Sequence, residues 1–111
     1  MAELAADGVR TIDRADAIRN GTVVPYYLHD RKVRVSIARV DDHLYAFSDL
    51  CTCADESCPL SGGLLTGVTV MCQCHGSQFD ITTGVAVVGP ATEALTVYEV
   101  REVDGTIQVR A

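Results

Sequence analysis

The residues of this chain that can do chemistry are crowded together. All five cysteines and one of the three histidines fall in two short stretches, CTCADESC at residues 51–58 and CQCHGSQFD at residues 72–80. Cys51 and Cys53 form C-x-C, and Cys72 with His75 forms C-x-x-H, so each stretch can turn two side chains toward a common point. Four soft or borderline donors suit either tetrahedral zinc or an iron-sulfur cluster, and their spacing alone leaves both open. Gly76 lets backbone pass close to a metal centre, and the Ser77 hydroxyl is placed either to hydrogen-bond a sulfur or to stabilise a turn.

Other chemistries find less support. No nucleophile and base pair, nucleotide loop or set of catalytic carboxylates is evident, which argues against an enzyme. The net charge of -6 disfavours nucleic acid and anionic membranes, which are bound through Lys and Arg, but leaves a basic protein partner possible. Asp49, Asp55 and Glu56 flank the first stretch and read as an acidic rim or a solvated charged loop. His29 and His43 stand beside aspartates in turn-like surroundings and are read as solvated, without a role. The opening MAELAADGVR has acidic residues where a secretory signal carries positive charge, and no apolar run approaches a membrane span. A cytoplasmic protein is expected, and reduced thiols in that compartment favour metal binding over disulfides.

The elements that must position these donors are strands. In RKVRVSIARV, Val33, Val35 and Ile37 alternate with Arg34 and Ser36, the period of a strand with one face in the core and one in solvent. TVVPYYLHD is also strand-like, but Pro25 cannot donate to a ladder and puts it at an edge or a bulge. DRADAIRNG reads as a single helical turn ended by Asn20-Gly21, and DDHLYAFSD as a strand that begins at an Asp-Asp turn. Gly62-Gly63 and Gly67 punctuate a hairpin around LLTGVTVM. SQFDITTG is a strand with a Thr-Gly turn, VVGPATE a rigid loop, and Asp104-Gly105 the turn of a closing hairpin. Many short strands predict an all-β antiparallel sandwich or small barrel. The 111 residues suit one domain, 1–111, with the two loops as a cluster-binding subdomain over about 50–90.

The pattern C-x-C-x18-C-x-x-H-G-S-x-F-D, followed by Thr-Gly and then Gly-Pro-Ala, resembles the Rieske 2Fe-2S family over nearly the whole chain. In that family the first loop reads C-x-H, and two thiolates and two imidazoles hold the irons. The resemblance implies that Cys51 and Cys72 are the thiolate pair, that His75 is an imidazole ligand, and that VGPA at 88–91 is the proline loop over the cluster. Cys53 stands where the family places its first histidine, and the eighteen residues between Cys53 and Cys72 are slightly more than is common there. A ligand set of Cys51, Cys53, Cys72 and His75 carries about one more negative charge than a two-histidine site, which favours the oxidised state and lowers the reduction potential. The same three-cysteine, one-histidine set is similar to that of the CDGSH iron-sulfur family, in the ligands only.

The resemblance also bears on the remaining residues. High-potential respiratory relatives carry a second cysteine in each loop, joined as a disulfide; Cys74 matches that position and Cys58 lies later in its loop, so a Cys58 to Cys74 bridge and two free thiols are both open. Phe79 stands where those relatives have a tyrosine bonded to a cysteine sulfur, which again implies a lower potential. As a whole the chain looks like the Rieske ferredoxins of aromatic-ring dioxygenase systems. These pass single electrons from a flavin-dependent reductase to a terminal oxygenase, with the partners docking around both loops and His75 at the exposed edge, and a monomer is expected. A small subunit of a larger reductase, of the nitrite reductase type, is the alternative within the fold; a structural zinc module is the alternative outside it.

Overall fold

The computed structural model describes residues 9–29, 31–50, 59–73, 76–89 and 93–110. Its strands, in chain order, are β1 (Val9–Arg14), β2 (Thr22–Leu28), β3 (Val33–Val40), β4 (His43–Ser48), β5 (Leu64–Thr66), β6 (Thr69–Met71), β7 (Gln78–Asp80), β8 (Ala86–Val88), β9 (Val97–Val103) and β10 (Thr106–Arg110). The helical turn expected before Asn20-Gly21 is a short 3-10 turn, Ala15–Ala17, and a second one spans Leu60–Gly62.

Two hairpin turns set the register of the scaffold. Asp41 and Asp42 have φ of 50° and 67°, and Asp104 and Gly105 have 50° and 74°, the paired left-handed conformation that matches a two-residue turn to twisted strands. From the first turn, β3 and β4 pair outward from Val40 opposite His43 to Val35 opposite Ser48. From the second, β9 and β10 pair from Val103 opposite Thr106 to Glu99 opposite Arg110. The result is a six-stranded antiparallel sheet in the order β1-β10-β9-β4-β3-β2. Pro25 lies on β2, at the edge, as its missing N–H requires. The sheet curls until its two edges approach, and the Tyr26 hydroxyl on β2 donates to the Asp13 carboxylate on β1 at 2.7 Å. A second sheet, β5-β6-β7-β8, is built entirely from the chain between β4 and β9. The all-β, antiparallel expectation holds, with a curled half-barrel as its form.

β3 departs from the expected half-buried pattern. Val35, Ser36, Ile37 and Ala38 are all buried, so both faces of the strand are covered. One face, with Val35 and Ile37, joins Ile18, Leu28, Ala46, Ile107 and Val109 inside the curl. The other face carries Ala38 and, from β4, Phe47; these pack with Leu60, Val70, Cys72, Phe79, Ile81 and Leu95 beneath the second sheet. Alternation shows which residues share a face, but nothing local shows that a sheet formed later in the chain, by β5 to β8, covers the face expected to be wet. Full burial of Phe47 and Phe79 contributes about 1.5–3 kcal/mol each, so this second core fastens the small sheet to the scaffold.

Candidate metal centre

The second cysteine stretch begins where β6 ends. Met71 pairs with Gln78, and the next pair inward is closed by the Cys72 N–H donating to the Ser77 carbonyl at 2.7 Å. The Cys72 carbonyl in turn accepts from the Gly76 N–H at 3.0 Å. The backbone therefore turns back within four residues, and Gly76 makes this possible with φ +77°, a conformation that a side chain resists. Cys72 and Ser77 are wholly buried, and Phe79 beyond them points into the same core as Cys72.

The first stretch leaves and rejoins the scaffold at one point. Leu50 and Pro59 form an antiparallel bridge, and the Leu60 N–H donates to the Asp49 carbonyl. Asp49 itself continues the β3-β4 ladder, its N–H donating to the Arg34 carbonyl at 3.0 Å. Its carboxylate is buried and takes three donors: Arg34 Nε at 2.6 Å on Oδ2, the Ser61 N–H at 2.8 Å on Oδ1, and the Ser36 hydroxyl also on Oδ1. The expected acidic rim is thus wrong for Asp49, which faces inward. An ionised carboxylate is costly to bury unless paired and hydrogen-bonded, and here it is both. Period two carried the signal, because Asp49 is two residues beyond Phe47 and falls on the same, covered face.

The two necks touch. Gly63 follows the Leu60–Gly62 turn, and a methyl group on it would lie 1.9 Å from the Met71 carbonyl oxygen, immediately before Cys72. A methyl on Gly62 would lie 3.0 Å from Gln73 Nε2. Leu60 at the end of the first loop and Cys72 at the start of the second belong to one buried cluster. Of the predicted ligands, Cys72 is placed at this junction; Cys51, Cys53 and His75 lie outside the described residues, as do Asp55, Glu56, Cys58, Cys74, Pro90 and Ala91. His29 and His43 are exposed, as expected, with the His29 ring edge-on to Tyr27 at 4.7 Å.

Among the described residues, the surroundings of Cys72 fit a metal group held by thiolates. One donor thiol sits at the lip of a dry core, on a turn tightened by a left-handed glycine, with a second closed neck pressed against it.

Residues 9–99 match the Rieske [2Fe-2S] domain family. The chain is similar to ferredoxin CarAc of Metapseudomonas resinovorans, at 37% identity over 75 residues covering 68% of each protein. It is similar at 36% over 75 residues, again 68% of each, to the anthranilate 1,2-dioxygenase ferredoxin subunit of Burkholderia cepacia. Among solved structures, a chain of the complex of reduced oxygenase and oxidized ferredoxin in carbazole 1,9a-dioxygenase superposes with a TM-score of 0.84 at 29% identity, covering 94% of both chains.

Proposed function

This chain belongs to the Rieske 2Fe-2S family, and from that premise we propose that it carries single electrons from a flavin-dependent reductase to a terminal oxygenase. It is an electron-transfer component and not itself an enzyme. The cofactor is one 2Fe-2S cluster, and the reading assigns its ligands as Cys51, Cys53, Cys72 and His75. The observation that supports this set is the contact of Gly62 and Gly63 with Gln73 and Met71, which brings the necks of the two cysteine loops side by side. The carrier works as a monomer in the cytoplasm, where its thiols stay reduced. Among the described residues no helix is long and apolar enough to cross a membrane.

The bound cluster supplies reversible one-electron exchange. The chain's own residues do the rest. Cys72 is fixed by its backbone bonds to Ser77 and Gly76, and the core of Leu60, Val70 and Phe79 keeps water from its inner side. Cys53 as a third thiolate holds extra negative charge at the site, and Phe79 offers no hydroxyl to offset it; both lower the potential. His75 is then the only ligand able to take or release a proton.

Iron and acid-labile sulfide measured on anaerobically purified protein test the reading first. Equal amounts of both, visible absorption and a reduced-state paramagnetic signal are expected. Colourless protein with stoichiometric zinc overturns it. Reconstituted turnover with a purified reductase and oxygenase then separates a ferredoxin from a subunit of a larger reductase.

A further inference from the structure

We propose that Asp49 is a positioning residue for the cluster, clamping both ends of the first ligand loop to β3 and holding a compensated negative charge at the neck of that loop. The proposal rests on the ligand reading above and goes beyond it, since Asp49 is no ligand. Three segments converge on this one residue: β3 through Arg34 and Ser36, the start of the loop through Asp49 itself, and its return through Leu60 and Ser61.

A well-packed apolar residue would hold such a neck without the cost of desolvating a carboxylate. What it would lack is direction. Oδ1 gathers the Ser36 hydroxyl and the Ser61 N–H at a single atom, and this fixes the return of the loop relative to β3. Oδ2 holds Arg34 Nε, whose side chain is 44% exposed while that of Asp49 is wholly buried. The cation therefore sits at the solvent end of the pair and the anion at the inner end, two residues along the chain from Cys51. A buried negative charge disfavours the arrival of an electron, and its cation offsets this.

The charge pair gives the role a signature that mere structural damage lacks. Asp49→Asn keeps the size and the Oδ1 acceptor but removes the charge, so the reduction potential rises. Arg34→Gln leaves the carboxylate uncompensated, so the potential falls. The double variant returns toward the original value. Release of iron to a chelator is faster by about tenfold in Asp49→Asn, the factor that follows from losing one hydrogen bond to a charged group. Ser36→Ala keeps both charges and removes one donor; it speeds release while leaving the potential in place, and it carries the test if Asp49→Asn does not fold. Single-variant potentials that stay put or shift in the same direction, with release unchanged in Ser36→Ala, overturn the proposal. Wild-type protein without iron and sulfide overturns the ligand reading instead, so the two failures are distinguishable.

Discussion

Gly63 packs against the carbonyl oxygen of Met71 so closely that a methyl group there would stand 1.9 Å from it. The φ of Gly63 is -88°, open to any residue, so the glycine is required by approach and not by backbone freedom. Through this contact the return of the first loop lies on the residue that precedes Cys72.

Gly63→Ala is therefore expected to push the two necks apart. Stability falls by about 1–3 kcal/mol, the range for overpacking, and iron content at purification falls with it. Gly67→Ala is the control. Gly67 has φ +57° and open space around its Cα, so an alanine there costs about 1 kcal/mol of backbone strain and leaves iron content unchanged. Thermal midpoints and iron per chain, read on both variants, check the contrast; equal iron loss in the two would refute it.

The edges of the curled sheet predict a pH dependence. Asp13 is held below its ordinary value of 3.8, first by the hydroxyl of Tyr26 and then by the Arg14 N–H. A depressed carboxylate gives stability that is present above its unfolded value and lost as pH falls through the folded one, so the loss lies below about pH 3.8. Tyr26 is raised, first by burial and then by donating to Asp13. Its contribution is complete below the usual tyrosine value of 10.0 and lost as pH rises beyond it. Tyr26→Phe removes the hydrogen bond, lowers the neutral-pH stability by about 1 kcal/mol, and flattens both limbs. Denaturation midpoints from acid to alkaline pH measure this; parallel curves for the two proteins would contradict it.

Much of the scaffold and part of the site are legible in the amino-acid sequence. The Asp41-Asp42 turn fixes which residues of β3 and β4 face one another, and extending that register past Val35 and Ser48 sets Arg34 opposite Asp49. Opposite charges on one face, with Ser36 diagonally adjacent, are the pattern of a cross-strand cluster. What the sequence hid was the cover. Asp49 and Ser36 look like solvent-facing residues until β5 to β8 fold over Phe47 and Ala38, and that packing depends on contacts distant along the chain. Gly63 was hidden for a related reason: as one of a Gly-Gly pair it read as turn punctuation, while its neighbour across the site, Met71, is set by tertiary structure.

Cys53 is the residue that departs from the family pattern, and replacing it restores that pattern. On the proposed ligand set, Cys53→His removes about one negative charge and adds a second imidazole. The potential is expected to rise, and its pH dependence to change from a single imidazole step, that of His75, to two. Electron paramagnetic resonance should shift as well. Identical spectra and potentials in the two proteins would mean that Cys53 never touches iron.

Phe79 supplies the last test, because it is buried beside Cys72 and lacks a polar atom. Phe79→Tyr introduces a hydroxyl into a dry core, and a buried hydroxyl without a partner costs about 1–3 kcal/mol. A cysteine sulfur of the cluster is the partner that the family resemblance implies. If the new hydroxyl donates to it, negative charge at the sulfur is drawn off, the potential rises, and the stability cost stays small. A potential that does not move, together with a drop in stability of the full size, would place Phe79 in the packing beneath the site and out of reach of its electrons.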